Sequence, residues 1–197
     1  MIHRNSRTLS RLLALGLCAA TVGAVSCGDL TGVPASLPTL TDSGTVYAIN
    51  GAPPGAPTAL HVFSGSILNA DATFIFDVAF DIDGNGRVVY LPQKTVASGL
   101  APTHSVGLQA TTATFDAVTA APKSGYRPDT ALVANPGTVV LVQTSDANAC
   151  GISLTGSTLY GKVQVELIDP QHRTLKVRWT VNPNCGFFSF ASGIPKD

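Results

Sequence analysis

The chain has 197 residues, and its twelve Lys and Arg balance twelve Asp and Glu to give no formal net charge. Charged residues make up only 12% of it, which leaves no basic patch for nucleic acid and little long-range steering of a charged partner. Hydrophobic residues make up 45%, but no continuous apolar run reaches the about 20 residues that a membrane-spanning helix needs.

The first element is a leader. Arg4, Arg7 and Arg11 precede an apolar run from Leu12 to Val25 that ends at Ala24-Val25-Ser26-Cys27. A basic head, a short greasy core and a small-residue cleavage site make a secretory signal. The four closing residues resemble the lipobox of bacterial lipoproteins. The resemblance implies cleavage before Cys27, acyl chains on that cysteine, and stable membrane attachment by more than one chain. Gly28 follows, where an aspartate would retain such a protein at the inner membrane, so the resemblance favours the outer membrane. Cys18 is a poorer candidate because the large Leu17 stands before it. Soluble secretion would leave Cys27 as an odd thiol. The expected division is a signal over 1–26, a lipidated cysteine and flexible tether over 27–43, and a single domain over 44–197.

Without the leader, nine basic residues face twelve acidic ones, a net charge near −3. That part has one glutamate (Glu166), five lysines and no methionine, and is rich in Thr, Val, Gly and Pro. Strand formers outnumber helix formers. Residues 28–43 lack any period and read as a spacer of at most about 50 Å.

Short apolar runs then alternate with turn signals. The expected strands are Thr45–Ile49, Thr58–Phe63, Thr73–Asp83, Arg87–Leu91, His104–Gln109, Thr114–Thr119, Thr138–Thr144, Leu159–Ile168 and Thr174–Val181. The pattern predicts an all-β fold, an antiparallel β-sandwich of about eight or nine strands, immunoglobulin-like in architecture. Asn50-Gly51-Ala52-Pro53-Pro54-Gly55 is a turn or loop. Prolines and threonines between Gln93 and Pro136 exclude a long helix but leave room for a short one.

Two segments have a sharp period of two. In the first, Phe74, Phe76, Val78, Phe80 and Ile82 are expected on a core face and Asp77, Asp81 and Asp83 on a solvated one. Gly84-Asn85-Gly86 then makes a hairpin turn. A two-residue loop pairs Ile82 with Val89, and a three-residue loop pairs it with Val88. In the second, Val163, Val165 and Leu167 face inward, as do Leu175, Val177, Trp179 and Val181. Lys162, Gln164, Glu166, Lys176 and Arg178 face out. Folding at Asp169–Arg173 places Leu167 opposite Leu175, Val165 opposite Val177, Val163 opposite Trp179, and Glu166 opposite Lys176.

With Cys18 in the signal and Cys27 given to lipid, Cys150 and Cys185 remain, and a disulfide is their simplest fate in an exported chain. The bridge would stabilise the fold by roughly 3–4 kcal/mol. No paired spacing suggests a metal at these cysteines. The order Cys150, Trp179, Cys185 differs from true immunoglobulin domains, where the tryptophan follows the first cysteine closely.

Asp81-Ile82-Asp83-Gly84-Asn85-Gly86 matches the opening of a calcium loop. The match ends at Val89 and Pro92, where further ligands belong. The expected state is a solvated acidic tip, with Asp77, Asp81, Asp83 and Asn85 as the alternative calcium ligands. No nucleophile elbow or zinc-protease helix occurs, and His61, His104 and His172 read as ordinary strand and loop residues. Glu166, opposite Lys176, reads as solvated and not as a glycosidase acid. Among Tyr47, Tyr90, Tyr126 and Tyr160, the Pro/Gly-flanked Tyr126 is expected to be most exposed. Phe187, Phe188 and Phe190 are expected to close the bottom of the core. The expected function is a non-catalytic interaction or structural module, without cofactor, anchored to the cell envelope and meeting a protein or glycan partner. A carbohydrate- or calcium-linked binding module is the alternative, and a hydrolase of unrecognised type the third.

Overall fold

The computed structural model describes residues 34–71, 74–100, 103–145, 150–151 and 157–196. The signal segment, Cys18 and Cys27 lie outside them. The described residues form two antiparallel sheets packed face to face, a single-domain β-sandwich.

The larger sheet runs β1 (Leu40–Tyr47), β11 (Thr174–Asn182), β10 (Thr158–Asp169), β9 (Val139–Ser145), β6 (Ser105–Thr111) and β7 (Arg127–Pro128). The smaller runs β3 (Ser66–Leu68), β2 (Ala59–His61), β4 (Val78–Ile82), β5 (Val88–Pro92) and β8 (Leu132–Ala134). These eleven strands among the described residues exceed the expected number because β3, β7 and β8 are too short to leave a period in the sequence. A single helical turn, α1 (Gln93–Val96), follows β5.

Alternate residues of both sheets meet in one core: Val78 and Phe80, Val106 and Leu108, Val140 and Val142, Val163 and Val165, Val177 and Trp179. Burying each such side chain stabilises the fold by about 1.5–3 kcal/mol before chain entropy is counted. Trp179 is 2% exposed, and its indole N–H donates to the Gly65 carbonyl at 2.9 Å.

Several expectations need correction. Strand β1 begins at Leu40, where it pairs with Val181, so residues 40–43, expected in the tether, belong to the larger sheet. Even before β1, the Asn184 side chain accepts from the Ser36 and Leu37 N–H groups and donates to the Leu37 carbonyl. Residues 114–119 are not a strand: the Ala117 and Val118 N–H groups fold back onto the Thr114 carbonyl. Strand β4 starts at Val78 rather than Thr73, and Phe74 is 60% exposed. Phe76 packs with Ala59 and Ala79 outside the smaller sheet, while Val78 and Phe80 lie inside.

The first hairpin has the three-residue loop, with Ile82 opposite Val88. Gly86 takes φ 72°, which glycine adopts without strain. In the second hairpin, Val163 faces Trp179 and Val165 faces Val177 as expected. A bulge at Glu166 then shifts the register by one, so that Ile168 and not Leu167 meets Leu175. Leu167 is consequently 63% exposed.

Candidate functional site

The cysteine pair forms as expected. Cys150 and Cys185 are disulfide-bonded, with Cα atoms 5.7 Å apart. The bridge ties the segment entering β10 to the one leaving β11, so it closes the open end of the last hairpin.

The acidic face does not form as expected. Asp77 and Asp81 are buried, and each carboxylate has its own partners. Asp77 turns inward, accepts the Val62 N–H, and lies 3.0 Å from His104 Nε2. Both side chains are nearly inaccessible, and Thr144 Oγ1 stands 3.4 Å from the same imidazole nitrogen. Burial alone would raise the Asp77 pKa. The hydrogen bond and charge of His104, with bonds from Thr144 and the Val62 N–H, outweigh it and hold the carboxyl below the ordinary value of 3.8. This pair links the smaller sheet to the larger one.

Asp81 accepts from Arg173 at 2.7 Å and from the Asn50 amide. Arg173 also donates to the Asn50 carbonyl at 2.7 Å, which fastens the 50–55 loop to the β10–β11 turn. Asp83 stays at the tip but is spent on its own turn, accepting from the Asn85 and Arg87 N–H groups and from the Arg87 guanidinium. The bond from the Arg87 N–H comes first among the causes that lower its pKa. Asn85 takes part through its backbone N–H. Among the described residues, no group of three or more His, Cys, Asp or Glu is placed to share a metal.

The other histidines are far from this pair in function. His172 Nδ1 lies 2.7 Å from Asp169 in the exposed β10–β11 loop. His61 Nδ1 lies 2.9 Å from Ser64 Oγ on an exposed turn, and no carboxylate orients it among the described residues. Glu166 lies 3.4 Å from Lys176, but the bulge leaves Leu167, and not Glu166 as expected, opposite that lysine.

The outer face of the larger sheet is where sequence reasoning failed most. Lys162, expected in solvent, is 5% exposed. Its ammonium donates to the Phe115 and Val118 carbonyls at 2.7 and 2.8 Å and sits 4.3 Å from the Phe115 ring centroid. Burial draws its pKa below that of an ordinary lysine, against the opposing charge of Asp116. Phe115, Val118 and Ala121 form a second core there with Val139, Leu141, Tyr160 and Phe190. Phe190 thus covers the outside of a sheet and does not close the bottom of the sandwich. One signal was present: Phe115 and Val118 are three apart, a spacing that one turn places on one side and a strand would split.

Beyond this second core the same face stays open. Outward positions of β6, β9 and β10 form the floor of a cleft of about 300 Å³, walled by Tyr126 and Pro128. Tyr126, expected to be exposed, is half-buried, with its ring 6.3 Å from that of Tyr160 at a 49° tilt. Phe188 stands edge-on to Tyr160 at 84°, so these rings do not make one flat row. Tyr90 is wholly inside the core, and Tyr160 is buried in the second core on the outer face.

These features define an antiparallel β-sandwich closed by one disulfide. No protein-family model, curated protein or solved structure matches the chain.

Proposed function

We propose that this protein is an exported lipoprotein, anchored through Cys27, whose β-sandwich serves as a non-catalytic interaction or structural domain. The observation that carries the reading is the Cys150–Cys185 disulfide. It uses both cysteines of the domain, requires the oxidising compartment that a secretory signal leads to, and leaves Cys27 for lipid. The histidines support a non-catalytic role, since His104 is enclosed with Asp77 and the others sit on separate exposed turns. Cys27→Ser should abolish incorporation of a fatty-acid label and release the protein from membranes. Continued membrane attachment or labelling of the variant would refute the anchor.

A second reading, a carbohydrate-binding module, is favoured by the uncharged, tyrosine-walled cleft on the larger sheet. Thermal-shift measurements with neutral oligosaccharides test it, and a melting temperature unmoved by all of them would remove it.

A further inference from the structure

We propose that the cleft on the outer face of the larger sheet is a binding site for a neutral saccharide unit, with Tyr126 as its wall. The inference deepens the carbohydrate-binding reading and rests on it, and it is independent of the anchor at Cys27. Three strands contribute the floor through outward positions: Ser105 and Gly107 from β6, Gln143 and Ser145 from β9, and Thr158 from β10. A rigid sheet fixes the spacing of these hydroxyl and amide groups better than a loop would.

The wall depends on a missing side chain. A Cβ on Gly107 would come within 2.8 Å of Tyr126 Cβ, so glycine is what lets the returning segment lay Tyr126 against the sheet. Next to it the chain pairs with β6, Arg127 opposite Leu108 and Pro128 opposite Gly107, which fixes the height of the wall.

The lining selects the ligand class. None of the lining side chains carries a charge. Burial raises the Tyr126 pKa, so its hydroxyl stays protonated at physiological pH. A phosphate or carboxylate would find no cation here, and an alkyl chain would strip water from Ser, Thr and Gln groups without replacing their hydrogen bonds. A sugar offers hydroxyls to those groups and a C–H face to the aromatic wall. Ser105 donates its own proton to Asp129 at 3.0 Å, which leaves its lone pairs to accept from a ligand. The cleft volume lies near the lower end of the range for small-molecule sites, about 300–1,000 Å³.

The test uses full-length protein in a zwitterionic detergent without sugar headgroups, titrated calorimetrically with cellotriose, chitotriose and maltotriose up to about 10 mM. At least one should bind. Tyr126→Ala and, independently, the cleft-filling Thr158→Trp should each weaken that binding about tenfold or more. The affinity should change less than about twofold between low and high salt, because no charge is neutralised. Binding that neither substitution affects would overturn this site while sparing the carbohydrate-binding reading. No binding by the native protein would overturn both, and a steep loss with salt would overturn the neutral class.

Discussion

The two faces of the larger sheet bury comparable side chains by different means. On the inner face, Val140, Val142, Val163, Val165, Val177 and Trp179 meet the opposite sheet, and the burial follows from strand periodicity. On the outer face, Val139, Leu141 and Tyr160 are covered only because residues 115–121 and Phe190 cross over them. Lys162 fastens that cover by its two carbonyl bonds. Alternation therefore tells which residues share a face, but not whether the face is wet. A charged residue at an outward position can be the fastening of a second core.

This contrast can be broken at both faces. Trp179→Ala opens a cavity in the inner core and removes the bond to Gly65. It should lower stability by about 3–5 kcal/mol in chemical denaturation. Asp77→Asn strikes the buried carboxylate–imidazole link and should cost about 3 kcal/mol, since it leaves His104 enclosed without its counter-charge. Its pH dependence gives a sharper readout. The folded-state pKa of Asp77 lies below the unfolded value of 3.8. Its contribution is therefore complete above that value and lost as pH falls through the folded one. Acid titration should show native stability falling more steeply below about pH 4 than that of Asp77→Asn.

On the outer face, Lys162→Ala strands two buried carbonyls and should cost about 2–3 kcal/mol. Exchange protection should be lost around residues 115–121 before it is lost in β10. Uniform loss across both would mean that the outer cover is no separate unit. The smallest effect is expected for Glu166→Gln, which removes an exposed ion pair and should shift stability by less than about 0.5 kcal/mol.

The legible parts of the fold were those that a period of two can encode. The three-residue hairpin loop was one of two readings allowed by Gly84-Asn85-Gly86, and the register of Val163 and Val165 followed from the pattern of their neighbours. The bulge at Glu166 was not legible, because inserting one residue leaves a composition that reads equally well unbulged. The Asp77–His104 link joins residues 27 positions apart on different sheets, and no local rule pairs them. Asp81 failed for a related reason: a carboxylate on an alternating strand looks solvated until a distant arginine, Arg173, is folded onto it. Of the cleft, only Tyr126 carried a signal. Gly107 reads as an unremarkable strand glycine until the returning segment is placed over it.

If Cys27 carries lipid, the Asn184 clamp on Ser36 and Leu37 sets how far the domain reaches from the bilayer. Nine peptide steps separate Cys27 from Ser36, a leash of at most about 32 Å. On the lipid-anchor reading, the domain samples a shallow shell above the headgroups instead of the volume that a leash ending at Ser43 would permit. Any ligand displayed in that shell meets it at an effective concentration in the millimolar range, so an intrinsically weak site is sufficient for occupancy at the membrane surface.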